Sequence, residues 1–592
     1  MYSNPQDLIQ KLLTSRGANA SDTLDLNTLA YPTGPHGFKG MDKASRLLAD
    51  AILQRATVTI VGDYDVDGSS ATAILATGLR NLMPVYTLIP NRVTDGYGLS
   101  PSIASRITPD TQMVITVDNG ISAHAGVEAV KARGMKIIIT DHHLAGDTLP
   151  TPDALVNPNQ PECPFPWKGT CGAGVAWYLL WATQMELDRQ GCSRQGCRQQ
   201  GCRLQGYPQV AQTIPVWNQL DLVALATVAD VVPMERNNRV LVQAGLQQIR
   251  AGQARPGVNA LIVVAKKEVT HLTSTDFGFA LGPRLNAAGR MADMQTGIRL
   301  LMTGNPHEAD ALARELDAMN QNRRAVEEQM RIEADAIAQS LIHSMGGQVP
   351  RVICLGSAAW HEGVVGIVAS RLKEQYQRPT FIFAQSADGL FKGSGRSIEG
   401  FHLRDALALV EALNPGLIAH FGGHAMAAGL SMPINHFDVF TREINAACPV
   451  LQQQVTQMDG SLVEYGCGLE VARAIEQAGP WGQGFALPVF EDTFQVVEAR
   501  ALKNGHWRLK LAAGMLPAGD ATVTAVYFLK GVEREAIPAP PAQGSMLQAQ
   551  YQLQVNRWNG AEEAQILIQA VVGIVPPRPA LGRADGIGFG RS

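Results

Sequence analysis

The sequence predicts an α/β protein: a doubly wound parallel-sheet domain and a smaller α/β domain joined by a long helix, followed by a C-terminal β-barrel. Three observations lead there. Between residues 56 and 140 short apolar runs alternate with helical patterns and end in polar clusters, the mark of parallel strands with crossover helices. From Asn305 to about Met345 the pattern runs without Gly, its one Pro at the start, so a helix of ~40 residues spanning ~60 Å is expected. After about residue 455 short alternating runs take over, as where Leu547, Ala549, Tyr551, Leu553 and Val555 are separated by Gln.

Residues 1–50 read as a leading helical segment and loop, punctuated by Tyr31-Pro32-Thr33-Gly34-Pro35. The apolar run Val58 to Val61 then reads as a buried parallel strand that empties into Asp63, Asp65 and Asp67, followed by Gly68. Side chains two apart on extended backbone point the same way. Three like charges on one face cannot all ionise in a dry cleft unless a cation sits among them, so a divalent metal is the economical reading. The string also matches the opening of a calcium-binding EF-hand loop, but the twelfth position falls on Ile74 where a bidentate Glu is required.

A helix is expected from about Ser70 to Asn81, strands over Val85–Ile89, Met113–Val117 and Lys136–Thr140, and a helix from about Ala123 to Ala132. The second and third of these strands run into Asp118-Asn119-Gly120 and Asp141-His142-His143. Ligand sites in open α/β sheets lie at such carboxyl ends. Asp230, in LVALATVADVVP, is either a core residue with a partner or a ligand entering the same cleft.

The order DYDVDG, VDNGI, DHH and VAD resembles that of the DHH phosphoesterases. The likeness extends through GPRLNAAGR (Gly282 to Arg290), WHEGVVGIVASRL (Trp360 to Leu372), KGSGRS (Lys392 to Ser397) and FGGHAMAAG (Phe421 to Gly429), about 500 residues in all, and this continuation resembles the family's single-strand exonucleases. The resemblance implies that Asp65, Asp67, Asp118, His142 and Asp230 ligate metal, with Asp118 bridging two ions and Asp63 and His143 supporting catalysis. It also implies phosphate or DNA contacts at Arg92, Arg284, Asn286, Arg290, His361, Ser394, Arg396 and His424. Some family members carry a His four residues before the middle Asp, where this chain has Val61. Two divalent ions about 3.5–4 Å apart, Mn2+ or Mg2+, agree with the oxygen and imidazole donors.

By this reading the chain divides into a helical segment (1–50), the DHH metal domain (51–304), the connecting helix (305–346), the accessory DHHA1 domain (347–452), an OB-fold barrel (453–575) and a flexible tail (576–592). Within the metal domain Cys192, Cys197 and Cys202 recur every five residues, each preceded by Gln-Gly, and residues 189–206 read as an exposed inserted loop. Eight cysteines in 592 residues are too sparse for a disulfide scaffold, and Cys163 and Cys171 lack the partners of a zinc site. On the long helix Arg314, Arg323, Arg324 and Arg331 are candidates for a nucleic-acid groove, with a solvated face as the alternative. In the barrel Trp507, Arg508, Tyr527, Arg557 and Trp558 are candidates for base stacking and backbone contact, with core packing as the alternative.

A net charge of −4 means that any nucleic acid is held by a local groove and not by a globally basic surface. No 18-residue apolar run is present, and MYSNPQDLIQKLLTSRG lacks the basic-then-apolar order of a signal peptide. A cytoplasmic monomer is expected, without membrane contact. The expected activity is 5′→3′ exonucleolytic hydrolysis of single-stranded DNA to mononucleotides in repair and recombination, alongside a helicase or a single-strand-binding protein. An oligonucleotide or pyrophosphate hydrolase and a non-catalytic nucleic-acid-binding relative are the alternatives.

Overall fold

A computed structural model describes residues 2–19, 24–92, 95–190, 214–386, 388–450, 458–502, 506–513, 522–529, 539–558 and 560–577. The Cys192/Cys197/Cys202 repeat and nearly all of the tail lie outside the described residues. The chain forms two compact units, one of residues 24–453 with 480–485 and the other of residues 1–23, 454–479 and 486–592.

The larger unit contains two sheets. In the first, β1 (Val58–Val61), β2 (Val85–Leu88), β3 (Met113–Val117), β4 (Lys136–Thr140) and β5 (Ala154–Val156) are all parallel in the order β2-β1-β3-β4-β5. The chain leaves β1 toward β2 and returns on the other side at β3, so the topology reverses between β1 and β3. That is where the rule for doubly wound sheets places a ligand. The four residues of β1 and the five of β3 are all buried, because helices cover both faces of a parallel sheet.

The helix after β1 runs Val66–Leu79, four residues earlier than its expected start. Asp65 is therefore its N-cap and Asp67 lies in its first turn, so the three aspartates do not share one extended face. They converge because the backbone turns into a helix between them. The Asn305 side chain caps the expected long helix, Pro306–Ser344, by accepting from the His307 N–H. At 39 residues it is about 60 Å long.

The second sheet joins β6 (Ile353–Ser357), β7 (Thr380–Gln385), β8 (Leu390–Arg396), β9 (His420–Gly423) and β10 (Ala427–Pro433) in the order β6-β7-β8-β10-β9. Only β6 and β7 pair in parallel. One face packs on a core of Phe381, Phe383, Phe391, Phe440 and Leu407. Its β8 residues alternate buried and half-buried, so the other face is partly open.

In the smaller unit β11 (Phe490–Ala501), β12 (Trp507–Ala513), β13 (Thr522–Tyr527), β14 (Met546–Trp558) and β15 (Ala561–Val575) close a barrel in the order β11-β12-β13-β15-β14. The helix Pro5–Ser15, expected as part of a separate leading segment, belongs to this unit. Leu8, Ile9, Leu12 and Leu13 are buried on it, and Arg16 at its end forks onto Asp459 at 2.7 and 3.0 Å.

Candidate metal centre

Four backbone ends deliver the site: the β1 turn, the ends of β3 and β4, and the end of the helix Leu220–Ala229, whose C-cap is Asp230. Asp65 Oδ1 accepts from the Gly68 N–H at 3.0 Å, closing its own helix. Asp67 is gripped from elsewhere. Its two oxygens accept the Gly172 and Ala173 N–H groups at 2.6 and 2.8 Å, the first turn of the helix Gly172–Arg189, and a helix N-terminus favours an anion. Gly172 has to be glycine, since a Cβ there would come within 2.6 Å of the Asp118 side chain.

Asp118 holds a left-handed backbone, φ 59°, a conformation that costs a non-glycine residue of order 1 kcal/mol or more. Its N–H donates to the Thr140 carbonyl at 3.0 Å and its own carbonyl accepts the Tyr97 hydroxyl at 2.7 Å. His142 Nε2 lies 3.1 Å from Asp118 Oδ1, 3.5 Å from Asp230 Oδ2 and 3.6 Å from Asp67 Oδ2. Asp141 accepts from the backbone N–H of both histidines, from the Ile121 N–H and from His143 Nδ1 at 2.8 Å.

Among the described residues three groups bring ligand atoms within 4.8 Å of one another: Asp63, Asp65 and Asp118; Asp67, His142 and Asp230; and Asp118, His142 and His143. Asp118 is thus common to two of them. Burial first, and neighbouring carboxylates second, push the pKa of Asp63, Asp65, Asp118 and Asp230 upward. Burial lowers that of His142. For His143 the Asp141 hydrogen bond and charge outweigh burial and raise it. Asp63 Oδ1, Asp118 Oδ1 and His142 Nε2 are buried without a hydrogen-bond partner. Crowded acids with unmet acceptors are what a divalent cation fits, so the residues suit the metals expected for this site.

The remaining expected contacts separate into those that meet at the cleft and those that do not. Arg92 lies over the Tyr64 ring at 5.0 Å. Arg396 is half-buried, and burial followed by the Arg92 charge lowers its pKa. Arg290 donates to the Gly363 carbonyl at 3.2 Å, and burial together with Arg92 and Arg396 lowers its pKa to about 10. Ser394 and Arg92 line a cavity of about 500 Å³ with Tyr64, Tyr97, Glu362, Lys392 and Phe421. The His424 ring stacks on His143 with centroids 6.2 Å apart.

Other expected contacts are committed to the protein itself. Arg284 pairs with Asp317 at 2.8 Å, the Asn286 side chain accepts the Val66 N–H at 3.2 Å, and His361 Nδ1 accepts the Gly363 N–H at 3.1 Å. On the long helix Arg323 is buried against Glu327 and Asn320, so it does not face a groove, and Arg331 pairs with Glu328. In the barrel Trp507 is only 2% exposed and packs on Tyr527, which corrects its expected role as a stacking platform. Arg557 is clamped between Glu476 and Glu562. Trp558 is 73% exposed and Arg508 is also exposed, the two lying on different strands of the barrel.

Sequence reasoning places Asp141 at a strand end without giving it a role, and it misses Tyr97 and the Gly172-Ala173 N–H pair. Asp141 carries a signal, since a carboxylate directly before two histidines can fix both. The other two do not, because their partners lie 21 and more than 100 residues away.

Known proteins share the order of domains. The family model for the N-terminal domain of the DHH family matches residues 57–197, that for the DHHA1 domain residues 333–449, and that for the RecJ OB domain residues 458–570. The chain is 40% identical over 577 residues to the single-stranded-DNA-specific exonuclease RecJ of Escherichia coli, covering 95% of each. It is 39% identical to the protein of that name from Haemophilus influenzae, over 95% of this chain and 96% of that one. The crystal structure of RecJ in complex with Mn2+ from Thermus thermophilus superposes with a TM-score of 0.74 at 28% identity, covering 98% of this chain and 79% of the other. No helix among the described residues is long and apolar enough to cross a membrane. Matching domains in the same order, and high identity sustained from end to end, place this chain in the RecJ family of DHH proteins.

Proposed function

We propose that the chain is a metal-dependent exonuclease that hydrolyses single-stranded DNA from its 5′ end to mononucleotides. The observation that carries this is Asp118, shared between a group with Asp63 and Asp65 and a group with His142. The Asp118 carbonyl accepts the hydroxyl of Tyr97, itself part of the lining of a cavity that includes Arg92 and Ser394. That its relatives are single-stranded-DNA-specific exonucleases supports the substrate. Asp65, Asp67, Asp118, His142 and Asp230 would hold two divalent ions, Mn2+ or Mg2+, with Asp118 between them. Asp63, grouped with Asp65 and Asp118, would support catalysis. When bound, the ions lower the pKa of a water and stabilise the attacking and leaving oxygens of a phosphodiester.

The chain's own groups orient the reactants. The Gly172 and Ala173 N–H groups fix Asp67, and Asp141 fixes both histidines. Asp141 accepts from His143 Nδ1 and favours the protonated ring, which in that form would offer its Nε2 proton to a phosphate oxygen. Arg92, Ser394 and Arg396 would hold the 5′-terminal phosphate, which differs from internal ones in its extra charge and free oxygen. Repair and recombination, after a helicase or single-strand-binding protein has exposed the strand, are the setting this reading implies. Strands labelled at either end and digested with Mn2+ test it. Mononucleotides released first from the 5′ end are expected, with a 5′-phosphate preferred over a 5′-hydroxyl. Release from the 3′ end, or internal cuts, contradict it.

A further inference from the structure

The cavity is larger than one phosphate requires. At about 500 Å³ it has the size of a small-molecule site. One wall is the part of the second sheet's face that the helix Val365–Tyr376 leaves uncovered, where alternation along β8 places Lys392, Ser394 and Arg396 on the same side. Pairing sets Gly429 and then Gly422 beside Ser394, and Ser431 and then His420 beside Lys392. The Lys392 row therefore lies about 7 Å along the strands from the Ser394 row.

The two glycines of the Ser394 row are not there for packing. A Cβ on Gly422 would meet nothing within 4 Å, and one on Gly429 would meet only the Gly393 carbonyl oxygen at 3.8 Å. Neither residue has a left-handed φ. What glycine achieves at both positions is a bare trough, floored by backbone and open to the cavity.

Resting on the reading that Arg92, Ser394 and Arg396 hold the terminal phosphate, we propose that the trough and the Lys392 row admit further phosphates on that terminus, so that the enzyme accepts strands ending in a 5′-triphosphate. Lys392 Nζ lies 3.3 Å from Glu362 Oε2, which holds the ammonium at the cavity wall until a phosphate displaces the carboxylate. Ser431 and His420 add a hydroxyl and a ring N–H in the same row. Hydrolysis needs no new chemistry. Water adds to the phosphorus of the first internucleotide diester, the bond to the 3′ oxygen of the terminal nucleoside breaks, and the water's proton passes to that oxygen. The products are a nucleoside 5′-triphosphate and a strand one nucleotide shorter with a 5′-phosphate.

The test uses the full chain with Mn2+ and one DNA sequence bearing a 5′-hydroxyl, 5′-monophosphate or 5′-triphosphate, reading kcat/KM and the first product by chromatography. The triphosphate strand should be cut within about threefold of the monophosphate strand and release a nucleoside triphosphate. Lys392→Met and Gly422→Val should each cost about tenfold on the triphosphate strand and less than about threefold on the monophosphate strand, the scale of one charge-assisted contact. If the triphosphate strand is refused while monophosphate is still preferred over hydroxyl, this inference falls and the terminal-phosphate reading stands. If monophosphate and hydroxyl strands are cut alike, the terminal-phosphate reading falls and takes the inference with it. Equal losses on both phosphorylated strands would assign the Lys392 row to the strand backbone and overturn the inference.

Discussion

Asp230 closes the helix Leu220–Ala229, the end at which the helix dipole disfavours an anion. Burial and the charges of Asp67, Asp65 and Asp63 add to that cost. Without a cation this carboxylate opposes folding, and its place is understandable only if one binds. Asp230→Asn is therefore expected to stabilise the chelator-treated protein by about 1 kcal/mol, a rise of ~1 °C in melting temperature for a unit of this size, while weakening the rise that Mn2+ produces. Calorimetry with and without the metal reads both, and a fall in melting temperature under chelation would contradict this account of Asp230. At this scale the sequence shows the acids well, because parallel strands end where ligands bind and Asp63, Asp118 and Asp141 sit at those ends. It does not show what orients them. Asp67 depends on N–H groups from a helix more than 100 residues away, and Asp118 on the hydroxyl of Tyr97, which sits in a loop between β2 and β3.

Element periodicity resolves the barrel tryptophans. On β12, Trp507 shares a face with Leu509 and Leu511, all three buried, so alternation alone assigns it inward. On β14 the inward residues are Leu547, Ala549, Tyr551 and Leu553, and Trp558 falls on the opposite parity. Trp558→Ala should weaken binding of long strands by ~1–3 kcal/mol and leave very short oligonucleotides unaffected. Trp507→Ala should instead destabilise the barrel by about 3–5 kcal/mol. Fluorescence titration with strands of two lengths, together with denaturant melts, checks both. Unchanged long-strand affinity in Trp558→Ala would remove the stacking role. The connecting helix is legible from its Asn-Pro start and unbroken run, yet the fate of its arginines is not. Arg323 is buried against Glu327, four residues on, and Glu327 also holds Arg371 of the next helix, Val365–Tyr376.

Across the larger unit, the first sheet supplies acids, histidines and, after β2, Arg92, while the second supplies a glycine-floored wall with Lys392 and Ser394; under the proposed function a phosphodiester would lie between the two. The order of motifs makes this organisation readable from sequence, since each sheet carries its own glycine-rich or acidic signature. The grouping of residues 1–23 with the barrel is not readable, because the apolar stripe of the helix Pro5–Ser15 does not say which partner covers it. The central claim is that the acids form a two-cation centre organised by Asp118. Its most direct test is calorimetric titration of Mn2+ into the metal-free full chain and into Asp118→Ala, with single-strand binding and hydrolysis measured on the same samples. Two ions per chain are expected for the native protein. For Asp118→Ala the expected result is loss of at least one ion and a fall in hydrolysis of ~10³-fold or more, with strand binding retained. A native stoichiometry of one, or a variant that keeps both ions and its activity, would contradict the account.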